Sequence, residues 1–167
     1  MKGFWPKLWI TAGYLGFFHW APGTAGTLGG VCLALLAWRY SPTPWIQAAL
    51  LASGILLFSG MTLVHGEWAE KAFGRKDPPQ AVLDEVAGFL LTVLLLPPAP
   101  EWMALGLGFL LFRLLDIWKP WPIRRLQALP GGLGILADDL GAGLMANALL
   151  QALLRGSFRS FVPYAGL

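Results

Sequence analysis

The chain has 167 residues, of which 56% are hydrophobic and 13% charged, and its formal net charge is +3. So few charges cannot cover the apolar surface of an ordinary water-soluble domain of this length, so the composition points to helices in contact with lipid. The single cysteine, Cys32, excludes a disulfide framework and a thiolate-based metal site.

The N-terminal stretch "MKGFWPKLWITAGYLGFFHWAPG" is interrupted by Pro6 and by aromatic residues, so it does not read as a cleavable signal peptide. Trp5, Trp9 and Trp20 suit an interfacial, partly helical segment over residues 1–20. Apolar stretches follow at residues 24–38, 45–64, 86–96, 102–118 and 140–154. Only 45–64 reaches the roughly 20 residues that a full span needs. The others must use their polar ends or insert part-way. The expected fold is therefore all-α: a compact bundle of membrane-embedded helices with about four to five transmembrane or half-inserted segments. "SPTP" (41–44) and "PPAP" (97–100) are tight connections. Residues 65–83 and 119–137 are longer polar loops, and 155–167 read as an irregular tail. No repeat or second domain is visible, so residues 1–167 are taken as one integral-membrane domain.

Charge placement suggests an orientation. A cytoplasmic N-terminus puts Lys2, Lys7, Lys71, Arg75, Lys76, Lys119, Arg124 and Arg125 inside, and Arg39, Arg155 and Arg159 outside. "PGTAGT", "DEVAG", "FRLLDIWKP" and "ADDLGAG" then all fall at the cytoplasmic face.

The acids come in adjacent pairs. Asp84 and Glu85 are expected to open the third apolar helix, and Asp138 and Asp139 the fifth, while Asp116 lies near the end of the fourth. One acid at a helix start is an ordinary cap. Two at each of two starts exceed what capping needs, and carboxylates near a bilayer are expensive unless paired or liganded. An oxygen-only ligand set of Asp84, Glu85, Asp116, Asp138 and Asp139 suits Mg²⁺. Arg113 lies one turn before Asp116, and Lys119 follows. These bases read either as a local ion pair with a snorkelling lysine or as a clamp for phosphate oxygens. "APGTAGTLGG" supplies backbone N–H groups at a helix start, with Gly23, Thr24 and Thr27 toward an anion, and Gly26 and Gly30 at close-packing spacing. His19 and His65 are isolated and read as interfacial, and Cys32 has no partner for phosphatase chemistry.

Taken together, "APGTAGT" (21–27), "DEVAGFL" (84–90), "FRLLDIWKPWPI" (112–123) and "GGLGILADDLGAG" (131–143) resemble the phosphatidylglycerophosphatase A family, in the family's order over residues 16–150. His19 stands where the family often has proline. The resemblance implies an Mg²⁺-dependent lipid phosphatase of the bacterial inner membrane, with its site on the cytoplasmic side. Such an enzyme converts phosphatidylglycerophosphate to phosphatidylglycerol and inorganic phosphate. Carried over by motif, the catalytic and metal-holding acids are Asp84, Glu85, Asp116, Asp138 and Asp139. Arg113 and Lys119 are the bases, and Pro22, Gly23, Thr24 and Thr27 the residues of the glycine-rich stretch. The partners implied are an anionic phospholipid and the membrane, with no nucleic acid. A homodimer is permitted but not required by the Gly and Ala faces. The competing class is a membrane transporter or accessory protein that uses its carboxylates without phosphatase chemistry. A transporter should place ionisable groups near the bilayer midplane, whereas here they gather at one face.

Overall fold

The computed structural model describes residues 3–161, with side chains described through residue 156. Lys2, Arg159 and the last six residues of the expected irregular tail lie outside what it describes in side-chain detail. Seven α-helices follow in order: α1 Phe4–Ile10, α2 Pro22–Tyr40, α3 Pro44–Phe73, α4 Leu83–Thr92, α5 Glu101–Trp118, α6 Ile123–Leu126 and α7 Gly131–Phe161, with a 3-10 turn at Leu15–Phe17. The fold among the described residues is all-helical.

The expectation of four to five membrane-embedded segments is corrected. Among the described residues, only two helices are long and apolar enough to cross a membrane, α3 and the Gly131–Gly156 part of α7. Local composition explains the shortfall. Seven of the first nine residues of α2 are Pro, Gly or Thr, and α5 carries Glu101, Arg113 and Asp116. α4 has 10 residues, about 15 Å of helix, half of what a hydrocarbon core requires. The two apolar helices also differ in use. The most apolar window of α3 is 11% buried, so most of its surface faces outward, whereas that of α7 is 50% buried.

α4 is the centre of the bundle. Val86, Ala87, Phe89 and Leu90 are buried, and Phe89 meets Phe112 of α5 edge-to-face at 6.3 Å. A short helix ending inside a bundle leaves carbonyls that need donors. Asn147 of α7 supplies them, its Nδ2 donating to the Thr92 carbonyl at 2.9 Å and the Leu94 carbonyl at 2.8 Å.

Glycines set how closely the helices approach. A Cβ on Gly88 would lie 2.7 Å from the Asp139 carbonyl oxygen, and one on Gly143 would lie 2.3 Å from the Gly88 carbonyl oxygen. No larger residue fits that α4–α7 crossing without moving backbone. The start of α7 is also moved. The glycine run 131–134 reads as a link, yet it forms the first turn of the helix. A Cβ on Gly132 would meet the Thr62 carbonyl oxygen of α3 at 2.6 Å. The helix therefore begins at Gly131 because those glycines let it lie directly on α3. Asp138 and Asp139 sit two turns inside α7 rather than opening it. The same helix continues through Phe161, so residues 155–161 are helical and not irregular.

Candidate active site

The start of α2, the first turn of α4, the last turn of α5 and the first turns of α7 meet at one end of the bundle. A cavity of about 300 Å³ opens there, lined among others by Asp84 and Glu85 (α4), Asp116 and Ile117 (α5), Lys119, and Asp139 (α7). A larger apolar cavity at the other end, lined by Trp38, Trp45 and Pro98, has Glu101 as its one acidic residue and no basic one. Of these two, only the first gathers acids with bases.

The acids are held dry. Asp84 is 3% exposed, Asp138 2%, Asp139 3% and Asp116 8%. Asp84 and Glu85 lie in the first turn of α4, where the helix dipole favours negative charge. Neither caps it: the N-cap residue is Val82, and no side chain accepts from the helix start.

Two bases enter this acidic end from α5. Arg113 Nη1 donates to Asp116 Oδ2 at 2.6 Å, one turn along the same helix, and lies 3.5 Å from Glu85 Oε1. Lys119 caps α5 in a left-handed conformation, with φ 46°, and its Nζ contacts Asp138 Oδ2 of α7. It also lies 3.9 Å from Asp77 Oδ2. Gly23 of α2 packs against the Arg113–Glu85 pair. A Cβ there would fall 2.2 Å from Glu85 Oε1 and 3.0 Å from both terminal nitrogens of Arg113, so glycine is needed where the ion pair presses against α2.

The electrostatics are unbalanced toward anions. Burial, then the charges of Glu85, Asp77 and Asp138, push the Asp84 carboxyl well above its ordinary range. Burial raises Glu85 to about 8 against the opposing charge of Arg113. Burial alone would lower Lys119, but the hydrogen bond and charge of Asp138, with Asp139 and Asp116, outweigh it and keep its ammonium above the usual value. One oxygen each of Asp84, Glu85, Asp138 and Asp139 is buried without a hydrogen-bond donor, and Arg113 Nε is buried without an acceptor. Such atoms are costly unless something binds them.

These orphaned oxygens fit a hard cation in donor type and in charge. Among the described residues, however, no three His, Cys, Asp or Glu side chains are gathered as a ready-made metal cage. Arg113 engages Asp116 and approaches Glu85, and Lys119 engages Asp138. Asp84 and Asp139 are the cavity carboxylates with no basic partner among the described residues.

The glycine-rich stretch is not a loop. Pro22 is the first residue of α2, so residues 22–27 are its opening turns. Thr24 is partly exposed at this end, but Thr27 is fully buried and its hydroxyl donates to the Gly23 carbonyl at 2.9 Å. Thr27 therefore faces its own helix, not a ligand. Gly26 and Gly30 are packing positions, set against Val82 and Phe89. His19 is exposed. Two residues that sequence reasoning passed over, Arg75 and Asp77, also line the cavity. Their only signal was a charged run before a pair of prolines in a polar loop.

The family model described as phosphatidylglycerophosphatase A matches residues 8–154. The chain is similar to an Escherichia coli phosphatidylglycerophosphatase A, 36% identical over 134 residues that cover 78% of this chain and 74% of the relative. A Haemophilus influenzae protein of the same name is 32% identical over 139 residues, covering 83% and 82%. A Bacteroides thetaiotaomicron protein, named as a candidate phosphatidylinositol-3-phosphatase, is 32% identical over 155 residues, covering 88% and 92%. No solved structure matches the chain.

Proposed function

The chain belongs to the phosphatidylglycerophosphatase A family and is a membrane-associated lipid phosphatase; within that class we propose that it hydrolyses the terminal phosphomonoester of phosphatidylglycerophosphate with the help of Mg²⁺. One observation carries the reading. Buried carboxylates with unsatisfied oxygens gather with Arg113 and Lys119 at one end of a bundle whose flanks are apolar, and Asp84, Glu85, Asp139 and Lys119 line a cavity there. Transfer of a phosphoryl group needs little more than positioning and charge neutralisation.

In this reading Arg113 and Lys119 bind phosphate oxygens, Arg113 as a planar fork and Lys119 as a point charge. The backbone N–H groups opening α2 add donors beside Gly23. Asp84 and Asp139 would hold the cation, with Glu85, Asp116 and Asp138 around them. When bound, Mg²⁺ supplies charge neutralisation on the phosphate and lowers the pKa of water. Water attacks phosphorus as a neighbouring carboxylate takes its proton, the ester P–O bond breaks, and the carboxyl so formed passes that proton to the departing alkoxide. A phosphoryl-enzyme route through Asp116 or Asp139 is the alternative. It favours Asp139, because Arg113 already holds an oxygen of Asp116.

The glycerol stays at head-group depth and the acyl chains lie along the exposed leucines of α3 and α5. The acidic end faces the cytoplasm at the bacterial inner membrane, in keeping with the lysines and arginines that surround it. The test is phosphate release by purified protein in detergent, with Mg²⁺ and with EDTA. Phosphatidylglycerophosphate and phosphatidylinositol 3-phosphate are run side by side. Release from the first, lost in EDTA, is expected. Release from the inositol lipid alone would reassign the head group, and release from neither would remove the reading.

A further inference from the structure

Asp77 belongs to none of the motifs that identify the family resemblance, yet its geometry is specific. It lies in the loop between α3 and α4 with φ 47°, a left-handed conformation uncommon outside glycine but open to aspartate. Gln127 holds it: its Nε2 donates to Asp77 Oδ2 at 2.8 Å, across fifty residues of sequence. The same carboxylate oxygen lies 3.9 Å from Lys119 Nζ. Lys119 is itself in a left-handed conformation, and Pro120 follows it, so the base of its side chain is fixed. One ammonium thus stands between two carboxylates from different elements, Asp138 of α7 and Asp77 of the loop. The Lys119 and Asp77 side chains are 20% and 28% exposed, so water only partly screens them.

We propose that Asp77 is the positioning residue for Lys119: fixed by Gln127, its carboxylate keeps the ammonium at the cavity mouth, where a phosphate oxygen can take it from Asp138. Without Asp77 the lysine would keep a single ion pair, with the buried Asp138, and would stay neutralised against it. With Asp77 it keeps a counter-charge on both sides, so its shift from Asp138 to a phosphate leaves no bare cation behind. The proposal rests on the lipid-phosphatase reading for its substrate, but not for its phosphate chemistry.

Asp77→Asn separates positioning from stapling. Asparagine keeps an oxygen that accepts from Gln127 and removes only the charge; Asp77→Ala removes both. For Asp77→Asn the expected result is a KM about five- to tenfold higher with kcat nearly unchanged, the size of one partly screened ion pair. The melting temperature without phosphate should be unchanged, and stabilisation by added inorganic phosphate should weaken by a similar factor in concentration. In a Lys119→Met background, Asp77→Asn should add nothing. The proposal is overturned if Asp77→Asn keeps normal KM and phosphate response while only Asp77→Ala is impaired. It is equally overturned if the Asn effect persists without Lys119, or if inorganic phosphate does not stabilise the unaltered protein. Should lipid hydrolysis be absent, the phosphate-melting comparison still decides the role of Asp77, so the two readings fail separately.

Discussion

Gly143→Ala tests how the site is assembled. The new Cβ would stand 2.3 Å from the Gly88 carbonyl oxygen and 3.1 Å from its carbon, where ordinary contact begins at 3.4 Å. Both atoms are backbone, so no side chain can swing away, and α4 and α7 must part by about 1 Å. Alanine gains about 1 kcal/mol of helix propensity over glycine. Overpacking a rigid contact costs about 1–3 kcal/mol, and more where backbone must move. The net is a loss of up to about 2 kcal/mol, and more where the backbone has to move. Activity should suffer more than stability. α4 carries Asp84 and Glu85, and α7 carries Asp139, so an ångström between them misplaces the reacting groups, an effect worth about 100-fold in rate. The controls are Gly60→Ala and Gly106→Ala, where a Cβ meets nothing within 4 Å. They should match or exceed the parent in melting temperature and keep full turnover. Thermal melting in detergent beside phosphate release decides it. If Gly143→Ala behaves like the controls, the close α4–α7 crossing is not what aligns the acids.

Other perturbations test single groups. Lys119→Met leaves Asp138 buried without its base and should destabilise the metal-free protein by about 3–5 kcal/mol, with Asp138→Asn in the same chain restoring most of it, by denaturant titration. Asp139→Asn should abolish phosphate release yet raise the melting temperature in EDTA, because it removes a buried carboxylate that has no base; lower stability would argue for a structural role. Arg113→Lys keeps the charge but loses the planar guanidinium whose Nη1 reaches both Asp116 and Glu85, and turnover should fall more than tenfold with the helical circular dichroism unchanged. The pH dependence has a definite sign. Glu85 is raised from 4.5 to about 8 on folding, so the folded state binds more protons across that window. Stability in EDTA should therefore be greatest below about pH 4.5 and fall as pH rises toward 8. Mg²⁺ should restore it at the alkaline end; a melting temperature that rises from pH 5 to 8 in EDTA would contradict the burial of Glu85.

Local relations were legible and distant ones were not. Arg113 and Asp116 are three residues apart on a helix, so their pairing follows from helical geometry alone. The acids of α4 are in its first turn for the same reason. The start of α7 was misjudged because a glycine run has low helix propensity, and only the surface of α3 shows what those glycines accommodate. The hydroxyl of Thr27 donates to its neighbour along the helix, the Gly23 carbonyl, a contact that follows only once residues 22–27 are helical. Counting apolar stretches overestimated the membrane spans, since α4 is apolar through burial within the bundle rather than through contact with lipid.

From sequence alone come the helical class, the residue types of the site and their gathering at one end, because periodicity and charge placement act over a few residues. Tertiary structure alone decides which acid meets which base: Lys119 with Asp138, nineteen residues on, and Asp77 with Gln127, fifty residues on. Those pairings depend on where whole helices cross, and the crossings are set by glycines whose partners lie on other segments of the chain. Burial then determines which carboxylates keep unsatisfied oxygens, and so which remain available to a cation.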